Sequence, residues 1–169
     1  ADSNVVLNEC AGILQYCQEC FEGLKAYTTE DGSIVTFRPD LNAERMMNSA
    51  SRLEMPPFPK ERFLEAVDQV VRANAAWVPP YGSGATFYLR PYMFASGPVI
   101  GVKPSQEYQF RLFGTPVGPY FKGGAKPIAI CVSDFDRAAP HGTGHVKAGL
   151  NYAMSLHAHE VAHNNGFDE

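Results

Sequence analysis

The stretch His141 to Tyr152, HGTGHVKAGLNY, sets a single lysine, Lys147, among Gly, Ala, Val and Leu, with Asn151-Tyr152 shortly after it. A lysine enclosed by small apolar residues loses hydration, and desolvation disfavours the ammonium form. The neutral amine is a nucleophile that can form a Schiff base with a carbonyl. The plainer alternative is a solvated lysine at a helix start, and on spacing alone it is the favoured one. A second constellation is His159-Glu160-Val161-Ala162-His163, which matches HExxH, the zinc-hydrolase pattern of two histidines one helical turn apart with a glutamate base. At about 100° per residue, Leu150, Met154, Ala158 and Val161 share one helix face, and His159 and His163 fall near the opposite, polar face. A catalytic zinc also needs a third protein ligand, which would have to come from Asp168, Glu169 or upstream. Surface histidines are therefore the expectation, with His157 packed nearer the apolar face. A third candidate, Cys17-Gln18-Glu19-Cys20, has the form of a redox or half-zinc motif, but no second CxxC or nearby CxxH completes it. Cys10, Cys17, Cys20 and Cys131 read as structural cysteines, small hydrophobes in packed segments.

The elements that must position these groups are legible from punctuation and periodicity. Residues 10–22 fit helix or loop. Leu24 to Thr28 reads as a strand, Glu30-Asp31-Gly32-Ser33 as a turn and Ile34 to Phe37 as the hairpin partner. Pro39-Asp40 opens a helix to about Leu53, capped by Asp40 or Asn42, with Ala43, Met46, Met47, Ala50 and Leu53 as its apolar stripe. The prolines of Met55 to Pro59 end it. A second helix runs from about Lys60 to Trp77, with Phe63, Val67, Val70, Val71 and Asn74 on one side. Thr86 to Phe94 reads as a strand whose Pro91 implies an edge or a bend, and Tyr108 to Phe113 as another. Pro127 to Val132 reads as a buried strand, and Ala148 to about Asn164 as a helix closed by Gly166.

The expected fold class is α+β: a small two-layer domain with an antiparallel sheet and two helices, plus the beginning of a larger α/β domain. The boundaries are 1–115 for the small domain, 116–125 for a Pro- and Gly-rich linker, and 126–169 for the start of the second unit. One strand and one helix are too little to bury a core, so that unit is expected to continue beyond Glu169. With no initiator Met at Ala1, residues upstream are expected too.

The chain has 169 residues, 45% hydrophobic and 19% charged, a globular composition. A net charge of -4 argues against non-specific nucleic-acid binding. No apolar run is long enough to span a bilayer and no signal peptide opens the chain, so a cytoplasmic location is expected.

Five segments in order carry a resemblance: Tyr16 through Tyr27 (YCQECFEGLKAY), Phe37 through Arg45 (FRPDLNAER), Phe87 through Phe94 (FYLRPYMF), Pro116 through Phe121 (PVGPYF) and Arg137 through Tyr152 (RAAPHGTGHVKAGLNY). Together they resemble the branched-chain-amino-acid aminotransferases, class IV, fold-type IV pyridoxal-phosphate enzymes. The resemblance reverses the reading of Lys147. It implies that Lys147 holds pyridoxal 5'-phosphate as a Schiff base and later moves the α-proton. It implies that Tyr152 hydrogen-bonds the cofactor's phenolic oxygen and that Arg45 holds its phosphate. Tyr88 and Arg90 match residues near the substrate α-carboxylate; two apart on a strand, they face one way. Phe21 and Tyr120 match apolar walls of the side-chain pocket, and Tyr16 a tyrosine offered across a dimer interface. Lys147 and Tyr152 are five apart, so one helix cannot put both on one face, and the lysine must sit on the loop before it.

The implied reaction transfers an amino group from Leu, Ile or Val to 2-oxoglutarate in a homodimer. The family's N-terminal segment, the acid that pairs with the pyridine nitrogen and the turns completing the phosphate site fall outside these residues. The chain is thus expected to hold part of the site and to be inactive alone, a companion chain being one source of the remainder. A D-amino-acid transaminase or a lyase of similar fold is the alternative within the class, with the YLRP strand and the PVGPYF loop favouring the branched-chain type. Outside the class, the alternatives are the zinc hydrolase and a non-catalytic interaction fragment.

Overall fold

A computed structural model describes residues 3–119 and 126–169. A short helix α1 (Gly12–Tyr16) leads into β1 (Glu19–Phe21), then β2 (Leu24–Thr28) and β3 (Ile34–Thr36). Helices α2 (Pro39–Arg52) and α3 (Lys60–Ala73) follow, with a 3-10 turn at Ala75–Trp77. Long strands β4 (Thr86–Ala95) and β5 (Tyr108–Val117) come next, and α4 (Gly149–Asn164) is the last element.

All pairings are antiparallel. The β2–β3 hairpin turns at Asp31-Gly32, where Gly32 takes φ 83°, a left-handed conformation that a Cβ disfavours. Pro91 is not on an edge. β4 pairs with β5 along one side and with β2 and then β1 along the other, so it is the central strand. Within a strand, a residue's N–H and C=O point the same way, and the Pro91 carbonyl accepts the Glu22 N–H at 2.7 Å. The donor that Pro91 lacks therefore falls in the gap between the end of β1 and the start of β2, where no ladder bond is lost.

Strand alternation then sorts the chemistry. Phe87, Leu89, Pro91 and Met93 are buried against α2 and α3, together with Cys20, Leu24 and Ala26. The intervening Tyr88, Arg90 and Tyr92 lie on the opposite face, with Phe21 of β1. The helices complete the core with Ala43, Met46 and Ala50 from α2 and Phe63 and Val67 from α3. Phe58 stacks on Phe110 at 3.8 Å between centroids. The antiparallel sheet with two covering helices is the α+β arrangement expected.

Several local expectations are corrected. Neither Asp40 nor Asn42 caps α2: Arg38 is the N-cap residue, at φ 48°, and it binds Asp40 through Nε and Nη2 at 2.9 and 2.8 Å. Asn42 is instead turned toward Glu22. Residues 127–132 form no strand; they are largely exposed, with Ile130 67% and Val132 99% accessible, because no neighbouring strand pairs with them among the described residues. The apolar face read on α4 is uncovered: Met154 and Val161 are exposed, and the helix buries Asn151 and Ala162. Cys17 is exposed at the left-handed end of α1, not packed. No helix among the described residues is long and apolar enough to cross a membrane.

Candidate active site

Lys147 lies just before α4, as the spacing requires, and its backbone is fastened from three sides. Its carbonyl accepts the Phe21 N–H at 3.0 Å, its N–H donates to Ser49 Oγ at 3.0 Å, and the Gly149 N–H donates to Glu19 Oε1. A Cβ on Gly149 would meet that same Glu19 oxygen, so any larger residue there would have to displace the Glu19 carboxylate from this N–H. The neighbours Val146 and Ala148 are buried at 6% and 0% exposure, which turns the intervening Lys147 side chain outward. Asn151, itself 1% exposed, holds the preceding loop: Nδ2 donates to the Thr143 and Val146 carbonyls at 2.7 and 2.9 Å, and Thr143 Oγ1 donates to its Oδ1 at 3.1 Å.

The Lys147 amine meets a defined set of partners. Nζ donates to Tyr152 Oη at 2.7 Å and sits 4.4 Å from the centroid of the Phe21 ring. The Phe21 and Tyr152 rings are 5.1 Å apart at 54°. The hydrogen bond from Lys147 holds the Tyr152 phenol below its ordinary pKa against the opposing effect of burial, and Arg137, whose guanidinium lies 4.9 Å over the same ring, pulls in the same direction. The Arg90 guanidinium also stacks on Phe21, at 4.5 Å, and donates through Nε and Nη2 to Tyr88 Oη at 3.1 and 2.6 Å. The structure thus brings Lys147, Tyr152, Phe21, Arg90 and Tyr88 together. Glu19, Phe21, Arg90, Tyr92, Phe113 and Gly149 line a cavity of about 350 Å³ beside them.

Arg45 stands in a second, wider groove of about 660 Å³ that also includes Asn48, Ser49, Arg52, His145 and Val146. Its Nε and Nη2 bind the two oxygens of Glu22 at 2.6 and 2.7 Å, and Asn42 Nδ2 donates to the same carboxylate at 2.7 Å. Glu22 is fully buried while the Arg45 side chain is 53% exposed, so the pair anchors the arginine at one end and leaves it open to the groove. The groove's own acid, Glu44, is engaged by Lys60 at 2.6 Å. Arginine donors, Asn48 and Ser49, next to the segment that carries Lys147, suit a phosphate.

Two predicted residues stand apart. Tyr16 Oη accepts the Gly101 N–H at 2.9 Å and lines a different cavity with Cys17, Leu53 and Val102. Tyr120 lies outside the described residues. The sequence reading missed Glu19, Glu22, Ser49, Arg137 and Asn151. Glu22 had a usable signal: a carboxylate between Phe21 and Leu24 in an apolar run needs a partner.

The zinc reading finds no ligand set. His159 Nδ1 faces Glu169 Oε2 at 3.3 Å, and no group of three metal-ligating side chains occurs among the described residues. His157 is exposed and meets Phe135 edge-on at 4.6 Å, so it is not packed under the helix. The cysteines are free, and burial pushes the Cys20 thiol up to about 12, far from a reactive thiolate.

The model of the amino-transferase class IV family matches residues 19–169. The chain belongs to that family. It is 54% identical over 99% of its length to the branched-chain-amino-acid aminotransferase of Haemophilus influenzae, covering 49% of that protein. It is 47% identical over its full length to that of Helicobacter pylori, covering 50% of it. The chain therefore spans about half the length of the curated relatives it matches. Among solved structures, a T.th. branched-chain amino acid aminotransferase with pyridoxamine 5'-phosphate superposes with a TM-score of 0.83 at 28% identity, covering 99% of this chain and 54% of that one.

Proposed function

We propose that this class IV chain is the lysine-bearing part of a pyridoxal-phosphate-dependent transaminase that moves the amino group of Leu, Ile or Val to 2-oxoglutarate. The observation that carries the reading is the Lys147 amine bonded to Tyr152 Oη at 2.7 Å and backed by the Phe21 ring at 4.4 Å. The relatives named above, and the one solved with pyridoxamine 5'-phosphate, support it.

When bound, the cofactor supplies an electron sink that acidifies the substrate Cα–H. Arg45, steered by Glu22, holds the phosphate, with Asn48 and Ser49 as neighbours. Lys147 supplies the amine that carries the cofactor and then takes up and returns the α-proton at Nζ. Its proton-bearing partner, Tyr152, holds the phenolic oxygen of the ring. Tyr88 and Arg90 hold a substrate carboxylate, and Phe21, Tyr92 and Phe113 present apolar surface to a branched side chain. Each buried methylene there is worth roughly 0.8 kcal/mol, enough to rank Leu, Ile and Val above smaller amino acids. Tyr16 serves a neighbouring subunit.

In this reading residues 1–115 form the small domain, 116–125 the linker and 126–169 the opening of the cofactor-binding domain. The protein works as a cytoplasmic homodimer. The pyridine-nitrogen acid comes from the half of the family length not represented here, in the same polypeptide or in a companion chain.

The test is borohydride reduction of the complete protein with pyridoxal phosphate, followed by peptide mass mapping. A pyridoxyl adduct on Lys147, lost in Lys147→Ala, is expected. An adduct elsewhere, or none, overturns the reading.

A further inference from the structure

Glu19 has no part in the chemistry assigned above, yet it sits inside the site. On β1 it is two residues from Phe21, so both side chains share the face that carries Arg90 and Tyr92. One carboxylate oxygen accepts the Gly149 N–H at the start of α4. Among the described residues that is the carboxylate's single hydrogen bond, and no salt bridge joins it to a cation. The carboxylate lines the cavity of about 350 Å³ that also presents Phe21, Arg90, Tyr92 and Phe113. Arg90 and Lys147 are near enough for their charges to act on it.

Burial pushes the Glu19 carboxyl above the usual carboxylate range, opposed by the Gly149 N–H and by the charges of Arg90 and Lys147. Its negative charge is therefore poorly solvated and incompletely compensated. The α-carboxylate is common to every substrate and cancels in a comparison between them, but a further carboxylate at the end of the side chain, brought into the same cavity, meets two opposite influences. Arg90 attracts it and Glu19 repels it, in surroundings where water does little to screen either. An isobutyl or sec-butyl group meets only the aromatic walls and is indifferent to that balance.

We infer that Glu19 is a specificity-determining residue that, facing Arg90 in this cavity, weakens the binding of substrates whose side chain ends in a carboxylate relative to those whose side chain is a branched hydrocarbon. The inference rests on the cavity being the substrate side of a transaminase. It assigns Glu19 a moderating role: Arg90 still admits a dicarboxylate, as an acceptor such as 2-oxoglutarate requires, while Glu19 sets how strongly it competes.

Glu19→Gln tests this, because the amide keeps the shape and can still accept the Gly149 N–H. Affinities of the complete, cofactor-loaded protein for glutarate and for 4-methylpentanoate are measured by calorimetry, alongside kcat/KM for glutamate and leucine. The ratio of glutarate to 4-methylpentanoate affinity is expected to rise about tenfold in the variant, the effect of removing roughly 1.4 kcal/mol of repulsion. The glutamate-to-leucine ratio of kcat/KM should move the same way. A purely structural Glu19 would lower both affinities together and leave the ratio where it was, which would overturn the inference. Glu19→Asp, which restores the charge, should bring the ratio back toward wild type. If the wild-type protein binds neither acid, the substrate-side reading itself fails. If it binds them and the Glu19→Gln ratio is unchanged, only the role of Glu19 fails.

Discussion

Replacing Glu22 by Gln should separate what the buried carboxylate does for stability from what Arg45 does for the groove. Glu22 is fully buried and accepts from Arg45 Nε, Arg45 Nη2 and Asn42 Nδ2 at 2.6, 2.7 and 2.7 Å. A glutamine of the same shape leaves no cavity, but it offers one acceptor oxygen where the carboxylate offered two. Its amide then confronts a donor from Arg45 or Asn42. Breaking a buried ion pair costs about 3–5 kcal/mol when a charge is left stranded. Here the surviving charge is Arg45, 53% exposed and free to rehydrate, so the cost falls to about 2–3 kcal/mol. Arg45→Met is the harsher change, because the stranded charge is then the buried Glu22; about 3–5 kcal/mol is expected. The assay is urea unfolding by circular dichroism, with the midpoint shift read at constant slope. The double variant should be less damaged than the sum of the singles by at least about 1 kcal/mol. A Glu22→Gln cost under about 0.5 kcal/mol, or an Arg45→Met cost below that of Glu22→Gln, would refute the claim that the pair is a buried anchor. The same variant should weaken inorganic phosphate binding to the cofactor-free protein, since an unanchored arginine must be ordered on binding.

Asn151→Ala removes three hydrogen bonds to the Thr143–Val146 loop and should cost about 2–3 kcal/mol, with faster amide exchange at Lys147; unchanged exchange there would argue against the loop being held by Asn151. The Arg38 guanidinium beside Asp40 lowers its carboxyl to about 2 from an ordinary 3.8. Folding therefore favours ionised Asp40, so the stability that Asp40→Asn loses should be fully visible above 3.8 and fade as pH falls through about 2. A melting-temperature difference that persists below that range would contradict the pairing.

The hairpin, the three long helices and the strand alternation were legible because each is set by local rules. Asp31-Gly32 marks the turn, the prolines mark helix ends, and Phe87, Leu89 and Met93 alternate with Tyr88, Arg90 and Tyr92. That Lys147 precedes α4 was also legible, since a spacing of five to Tyr152 is incompatible with one helix face. Pro91 misled because proline's cost depends on whether a partner stands opposite its missing donor, and that is settled by where β1 ends and β2 begins. Residues 127–132 misled for the complementary reason: an apolar run becomes a strand only when another strand pairs with it.

By itself, then, the sequence determined which residues could do chemistry, in what order the elements come and to which family they belong, because those properties reside in residue type and short spacing. Only the tertiary structure decided that Glu22 reaches Arg45 from 23 positions away and that Glu19 touches Gly149 from 130 away. A buried charge acquires its meaning from the partner that folding brings to it, and no local pattern names that partner.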